Sequence, residues 1–253
     1  MKARRATAGP SARNLARVTE EYTETALHFE ARRLPQLLAR YLPPGPLALA
    51  DLGCGDGPLF AALERGGFIG HDQPVYAVDL ASPRLARVAQ RFPWIETVVA
   101  SADAVPQIAD GSLDTVISTM VMEHVPDERA YLAEIRRILR PGGMAYVTTV
   151  FKKRWAWYFR KRDGESVLDT SHVREYTDVD VVRCLVTAAG FRIVDLQRRL
   201  LWFPLLDPLL FRFGGRVSSR RTLLRALRAP KAPIPGYYSL ELVVERAEDT
   251  RTV

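Results

Sequence analysis

The chain has 253 residues, 47% of them hydrophobic and 26% charged, with a formal net charge of +7. That length holds one α/β domain with a sizeable core and is too short for two ordinary enzyme domains. The charge suits an anionic partner (a phosphorylated small molecule, an anionic lipid surface or nucleic acid) without choosing among them. Two cysteines, Cys54 and Cys184, lie far apart with no CxxC or Cys/His cluster. They argue against a disulfide framework and a structural zinc site, and they fit a cytoplasmic setting.

Residues 1–18 are rich in Lys, Arg, Ala and Ser, with no acid and no apolar h-region, and read as a basic flexible tail. Thr19 to Tyr41 follows as one helix, or two broken at Pro35, because Leu27, Leu34, Leu37, Leu38 and Tyr41 recur at helical spacing. Pro43, Pro44, Gly45 and Pro46 make a turn. The chain then alternates. Strands are predicted over 47–52, 75–78, 95–100, 113–119 and 144–150. Helices are predicted over 58–65, 82–91 (with Ser82 as N-cap) and 126–139, the last ended by Pro141-Gly142-Gly143. A helix over 178–189, closed by Gly190, and strands over 191–196 and 237–245 complete the pattern. Such alternation predicts an α/β fold, a doubly wound, mostly parallel sheet with helices on both faces. No 20-residue run is apolar enough to span a bilayer.

The segment Asp51-Leu-Gly53-Cys54-Gly55-Asp56-Gly57 ends the first strand in an acid and runs into three glycines at alternate positions. At the carboxyl end of a strand in an open α/β sheet, such a turn lets a ligand approach the backbone. The spacing is not the Gly-x-Gly-x-x-Gly that rests a pyrophosphate on a helix N-terminus. Asp51 is placed to attract a cationic ammonium instead. Asp79, ending the second strand, can accept from two ribose hydroxyls, and Asp103, after the third, from an adenine amino group.

With these segments the chain resembles the class I (Rossmann-like) S-adenosylmethionine-dependent methyltransferase family, in its small-molecule and quinone-type branch (methyltransferase type 11-like). The matching stretches are ADLGCGDG, YAVDLAS, ASADAVP, GSLDTVISTMVMEHVPD, LAEIRRILRPGGMAYVTTV and HVREYTDVDVVRCLVTAAGF. The resemblance implies a single domain over 19–253 with a seven-stranded sheet of order 3-2-1-4-5-7-6, the last strand antiparallel. It implies S-adenosylmethionine as cofactor, held by Asp51, Gly53, Cys54, Gly55, Gly57, Asp79, Leu80, Asp103 and Ala104, with Thr119 and Met120 beside the methionine portion. It also implies methyl transfer to a small lipophilic or anionic acceptor of natural-product, quinone or sugar-like type, with oxygen favoured slightly over nitrogen or carbon.

For proton removal from the acceptor the candidates are His124, just beyond the fourth strand, and His172, in a segment that flanks the acceptor pocket in similar enzymes. A structural histidine pinning the loop reads equally well for His124. His28 and His71 read as surface or packing residues. Tyr22, Arg174, Tyr176, Trp155 and Trp202 are the candidates for substrate contact. No metal site is expected. Two basic, aromatic inserts, at about 151–170 and 200–235, read first as a lid or acceptor-binding region, then as a peripheral membrane contact, and last as a nucleic-acid surface. A non-catalytic cofactor-binding module is the alternative of another class. A nucleic-acid methyltransferase is disfavoured because the fourth strand ends in Ser118-Thr-Met-Val, and no nucleic-acid partner is expected. The oligomeric state is not legible.

Overall fold

The structure, a computed structural model, describes residues 31–162, 164–204 and 230–248. The predicted tail, residues 19–30 with Tyr22 and His28, and most of the 200–235 connection lie outside the described residues. Seven strands form one sheet: β1 Leu49–Leu52, β2 Val75–Asp79, β3 Glu96–Val99, β4 Leu113–Thr119, β5 Leu139–Lys152, β8 Phe191–Pro204 and β9 Lys231–Arg246. A small hairpin, β6 Lys161–Arg162 with β7 Glu165–Ser166, stands apart. The order is β3-β2-β1-β4-β5-β9-β8. The first five strands are parallel, and β9 runs antiparallel to both β5 and β8. Without the hairpin this is the predicted order 3-2-1-4-5-7-6.

Helices cover both faces, which is why the central strands are apolar on both sides. Helices α1 Gln36–Tyr41, α2 Phe60–Arg65 and α3 Ser82–Arg91 bury Leu37, Leu38, Phe60, Leu63, Leu85 and Val88 on one face. Helices α4 Glu128–Ile138 and α5 Val179–Ala188 bury Tyr131, Leu132, Ile135, Val182 and Val186 on the other. Each of the last two starts at an aspartate that accepts from first-turn N–H groups: Asp127 from Arg129 and Ala130, Asp178 from Asp180.

Three local expectations are corrected. Ser82 is not the N-cap of α3; Ala81 holds that place without a side-chain cap, and the Ala81 N–H donates to Asp79 Oδ1 instead. Pro141-Gly142-Gly143 does not end α4, because β5 already begins at Leu139. The register against β4 jumps from Leu113↔Leu139 to Thr115↔Met144, so these residues are an irregularity within the strand. The last two strands are much longer than their apolar cores, since β8 and β9 pair as far as Pro204↔Lys231. Among the described residues no helix is long and apolar enough to cross a membrane.

Candidate active site

The carboxyl ends of β1, β2, β3 and β4 meet above the glycine turn. Gly53, Gly55 and Gly57 all have positive φ. The Gly53 and Cys54 N–H groups donate to Val78 O at 2.7 and 3.0 Å, which straps the turn to the end of β2. A Cβ at Gly53 would lie 2.3 Å from Val121 Cγ2, so the bare backbone is what lets the loop after β4 close onto the turn. Cys54 is buried in the turn, and burial, with Asp51 and Asp79 nearby, pushes its thiol upward.

Asp51 is 1% exposed, and its Oδ1 makes no hydrogen bond among the described residues. Burial, and then the nearby Asp79, raise its carboxyl to about 8. A buried acceptor with no partner is costly unless a donor completes it, and a cationic ammonium is the donor this position suits. Asp79 accepts from Gly55 N–H at 2.8 Å through Oδ2 and from Ala81 N–H at 2.8 Å through Oδ1. Each oxygen keeps a lone pair for a ribose hydroxyl. Asp103 sits at the tip of a turn closed by Ala104 N–H to Ser101 O at 3.0 Å, half-buried beside exposed Ala104. Leu80 is exposed. The donors and acceptors at this edge therefore fit S-adenosylmethionine: one unmatched acid, one acid with spare lone pairs and one acid at a turn tip.

Thr119 ends β4, and Met120 follows at φ 57, the only non-glycine with positive φ among the described residues. The Met120 N–H is shared between Thr148 O (3.1 Å) and Thr148 Oγ1 (3.0 Å). These contacts hold a conformation that an L-residue adopts at a cost, and such strain concentrates at functional sites. Met120 packs against a small cluster of Val150, Tyr158, Ile234 and Tyr237, joined by Phe159, Leu168, Leu201 and Phe203. Tyr158 contacts Phe203 and Tyr237 edge-on, with ring centroids 5.6 and 6.3 Å apart.

His124 and His172 come together, their rings crossing at 4.7 Å. Glu123 joins them: one ligand atom from each of the three lies within 4.8 Å of the others. No metal site is expected from the sequence, and the three side chains form a group of a size that could hold an ion. Burial, then His172, push the His124 imidazole down to about 4, and burial pushes the Glu123 carboxyl up to about 7. Glu123 Oε2 accepts from Thr149 Oγ1 at 2.9 Å. His172 Nδ1 donates to Glu175 Oε1 at 2.8 Å. Burial alone would raise Glu175. Hydrogen bonds from His172, Leu168 N–H and Lys152 outweigh it and hold the carboxyl below its usual range.

The remaining predicted substrate residues are placed differently. Arg174 donates to Met122 O, Val125 O and Pro126 O at 3.1, 2.5 and 2.7 Å and pairs with Glu128, so its guanidinium clamps the loop after β4. Tyr176 is buried in the main core, its hydroxyl unpartnered among the described residues. Trp155 and Trp202 are 67% and 56% exposed. His71 stacks on Trp94 at the surface, away from the glycine turn in sequence and in the sheet. Glu123 and Glu175 carry much of the site's polar network and are absent from the sequence reading. The available signal was an acid directly before His124, but its partners come from 149 and 172–175, and spacing does not show that closure.

Residues 50–147 match the family described as a methyltransferase domain. The ubiquinone biosynthesis O-methyltransferase of Xanthomonas campestris pv. campestris is 31% identical over 194 residues, which cover 74% of this chain and 77% of that protein. The biotin biosynthesis bifunctional protein BioHC of Saccharophagus degradans is 27% identical over 205 residues, 74% of this chain and 35% of that protein, so the chain spans about a third of this longer relative. The S-adenosylmethionine-dependent methyltransferase of Mesorhizobium loti shares the fold, with a TM-score of 0.56 at 19% identity, covering 83% of this chain and 96% of that one.

Proposed function

The chain belongs to the class I S-adenosylmethionine-dependent methyltransferase family, and from that premise we propose that it methylates a small lipophilic or anionic acceptor of natural-product, quinone or sugar-like type, on oxygen in preference to nitrogen or carbon. S-adenosylmethionine is the cofactor, and when bound it supplies an electrophilic methyl on a sulfonium. The chain's own residues do the rest. Asp51 receives the ammonium, Asp79 the ribose hydroxyls, and Asp103 with Ala104 and Leu80 the adenine. Thr119 and Met120 border the methionine portion.

The observation that carries the acceptor class is the cluster of Met120, Tyr158, Phe159, Phe203 and Tyr237 beyond the carboxyl edges of β4 and β5. Its partly exposed members Met120, Phe159 and Phe203 offer apolar and aromatic surface just beyond the end of β4, over the buried Tyr158 and Tyr237, which suits a ring or an apolar tail. Exposed Arg198, stacked over Phe151, adds positive charge for an anionic acceptor, whereas the charge of Lys152 is matched by Glu175 at 3.1 Å. The inserts at about 151–170 and 200–235 are proposed to form a lid or acceptor-binding region. His124 and His172 act on the acceptor side, where an in-line displacement gains most from orientation and from loss of the acceptor's proton. The exposed Trp155, Trp157 and Trp202 serve peripheral contact with an anionic membrane surface.

Methyl-labelled cofactor and a panel of phenols, catechols, sugars, amines and oligonucleotides test the assignment. Label in an apolar phenol, catechol or sugar, located on oxygen by NMR of the product, is the expected result. Label confined to amines or oligonucleotides overturns it.

A further inference from the structure

We propose that Glu123, His124 and His172 bind a divalent first-row transition-metal ion, with Glu175, Ser171 and Thr149 holding the three ligands in place. The proposal is independent of the acceptor's identity; with an ion bound, Nε2 of each ring is engaged, and His124 and His172 would orient the acceptor side rather than take its proton. Its basis is how the hydrogen bonds around the trio leave the ligand atoms.

Take His124 first. Ser171 Oγ donates to Asp169 Oδ1 at 2.7 Å, so its one proton is committed. At 3.3 Å from His124 Nδ1 it can therefore only accept. His124 then carries its proton on Nδ1, and Nε2 keeps the lone pair. His172 is fixed by the same logic. Its Nδ1 lies 2.8 Å from Glu175 Oε1, which also accepts from Leu168 N–H at 2.7 Å, while Glu175 Oε2 faces Lys152 Nζ at 3.1 Å. Such a carboxylate accepts from Nδ1–H, which leaves Nε2 as the ring nitrogen able to ligate. A carboxylate behind a histidine is the arrangement that orients metal-ligating imidazoles.

Glu123 supplies the third ligand. It is 0% exposed; Oε2 is held by Thr149, and Oε1 makes no hydrogen bond among the described residues. An unmatched carboxylate oxygen beside two imidazole lone pairs, with no donor among them, lacks a cation. Metal–ligand bonds of about 2.0 to 2.2 Å place neighbouring ligand atoms roughly 3 Å apart. The ligand atoms lie within 4.8 Å of one another, so binding an ion would draw the three side chains together by rotation. Two nitrogens and one oxygen select zinc, cobalt, iron or manganese over magnesium or calcium. His124 is the least buried member, so the remaining coordination positions open on its side. The ion would clasp the loop after β4, which carries Met120 and Val121, to the segment that leads into α5.

The test uses the full chain, freed of metal by a chelator and titrated with Co²⁺ and with Zn²⁺. One equivalent per chain by calorimetry, visible Co²⁺ bands of a nitrogen–oxygen site and a metal-dependent rise in melting temperature are expected. His124→Ala and His172→Ala should each remove the bands, and Glu175→Gln should weaken affinity about 10- to 100-fold without removing them. Magnesium should not compete. Should His172→Ala fail to fold by circular dichroism, His124→Ala and Glu175→Gln carry the decision. A wild-type chain that takes up no stoichiometric Co²⁺, or one whose bands survive His124→Ala, overturns the proposal.

Discussion

Asp51 concentrates the tension of the site into one side chain. Its carboxyl is buried, faces Asp79 and is raised to about 8. The folded chain therefore holds a proton there that the unfolded chain releases near the ordinary value. Between about pH 4 and 8 the folded state binds more protons, so stability without cofactor falls as pH rises through that window. The cofactor's ammonium favours the carboxylate and reverses the penalty. The thermal shift caused by S-adenosylmethionine or S-adenosylhomocysteine should therefore grow from pH 6 to 8, and binding should release a proton, readable by calorimetry in two buffers. A shift that shrinks over that range sinks this reading. Asp51→Asn should weaken cofactor affinity about tenfold to a hundredfold, the worth of a charge-assisted hydrogen bond, while leaving the melting temperature without cofactor unchanged or higher. His124→Ala makes a contrasting case. It should lower turnover at least about tenfold, a typical contribution of a proton-handling or orienting group, with cofactor affinity within about twofold by calorimetry. Full turnover in that variant removes His124 from the reaction.

At the level of elements, the turn between β1 and α2 works only against the loop after β4. Gly53 has φ 73, and an added Cβ meets Val121 Cγ2 at 2.3 Å. Gly53→Ala should cost about 1 to 3 kcal/mol in a denaturant titration, part backbone strain and part overlap. Val121→Ala in the same chain should recover the overlap and leave the strain, a positive coupling in a double-mutant cycle. Simple additivity of the two variants would show that the loop is free to move. These elements were the most legible in the sequence. Strands β1, β2 and β4 are short apolar runs ending in Asp51-Leu52, Asp79 and Thr119, and period and punctuation alone locate them. The Asp127 and Asp178 caps obey local chemistry in the same way. The irregularity at Pro141-Gly142-Gly143 and the reach of β8 and β9 were not legible, because pairing partners far along the chain set them. The same is true of the polar cluster: His124 stands out as a rare residue type, but Glu123 gains its meaning only when His172 arrives from 49 residues away.

Taken as a whole, the molecule is asymmetric along its sheet. The residues proposed to hold the cofactor lie at the carboxyl ends of β1 to β4, and the exposed aromatics lie around β9. The Trp157 N–H donates to Pro235 O at 3.1 Å, Lys153 N–H to Gly236 O at 2.8 Å, and Trp202 pairs with Pro233, so three exposed tryptophans gather around the first residues of β9. Arg154, Lys161 and Lys231 are exposed nearby, in a chain of net charge +7. Tryptophan is normally buried or partnered; exposed beside cations, it matches the interface of an anionic bilayer, where the ring sits at headgroup depth and the cations meet phosphate. Each cation near such a surface contributes about 1 kcal/mol at most, and salt screens it within about a nanometre. Flotation with phosphatidylglycerol-containing vesicles should therefore recover the protein at low salt and lose it as salt rises. Replacing Trp155, Trp157 and Trp202 together by alanine should abolish recovery at every salt concentration while leaving the circular dichroism of the chain unchanged. Recovery that persists in the triple variant would place the contact elsewhere. No flotation of the wild-type chain, with turnover of apolar acceptors undiminished, would mean that these tryptophans belong to the lid alone.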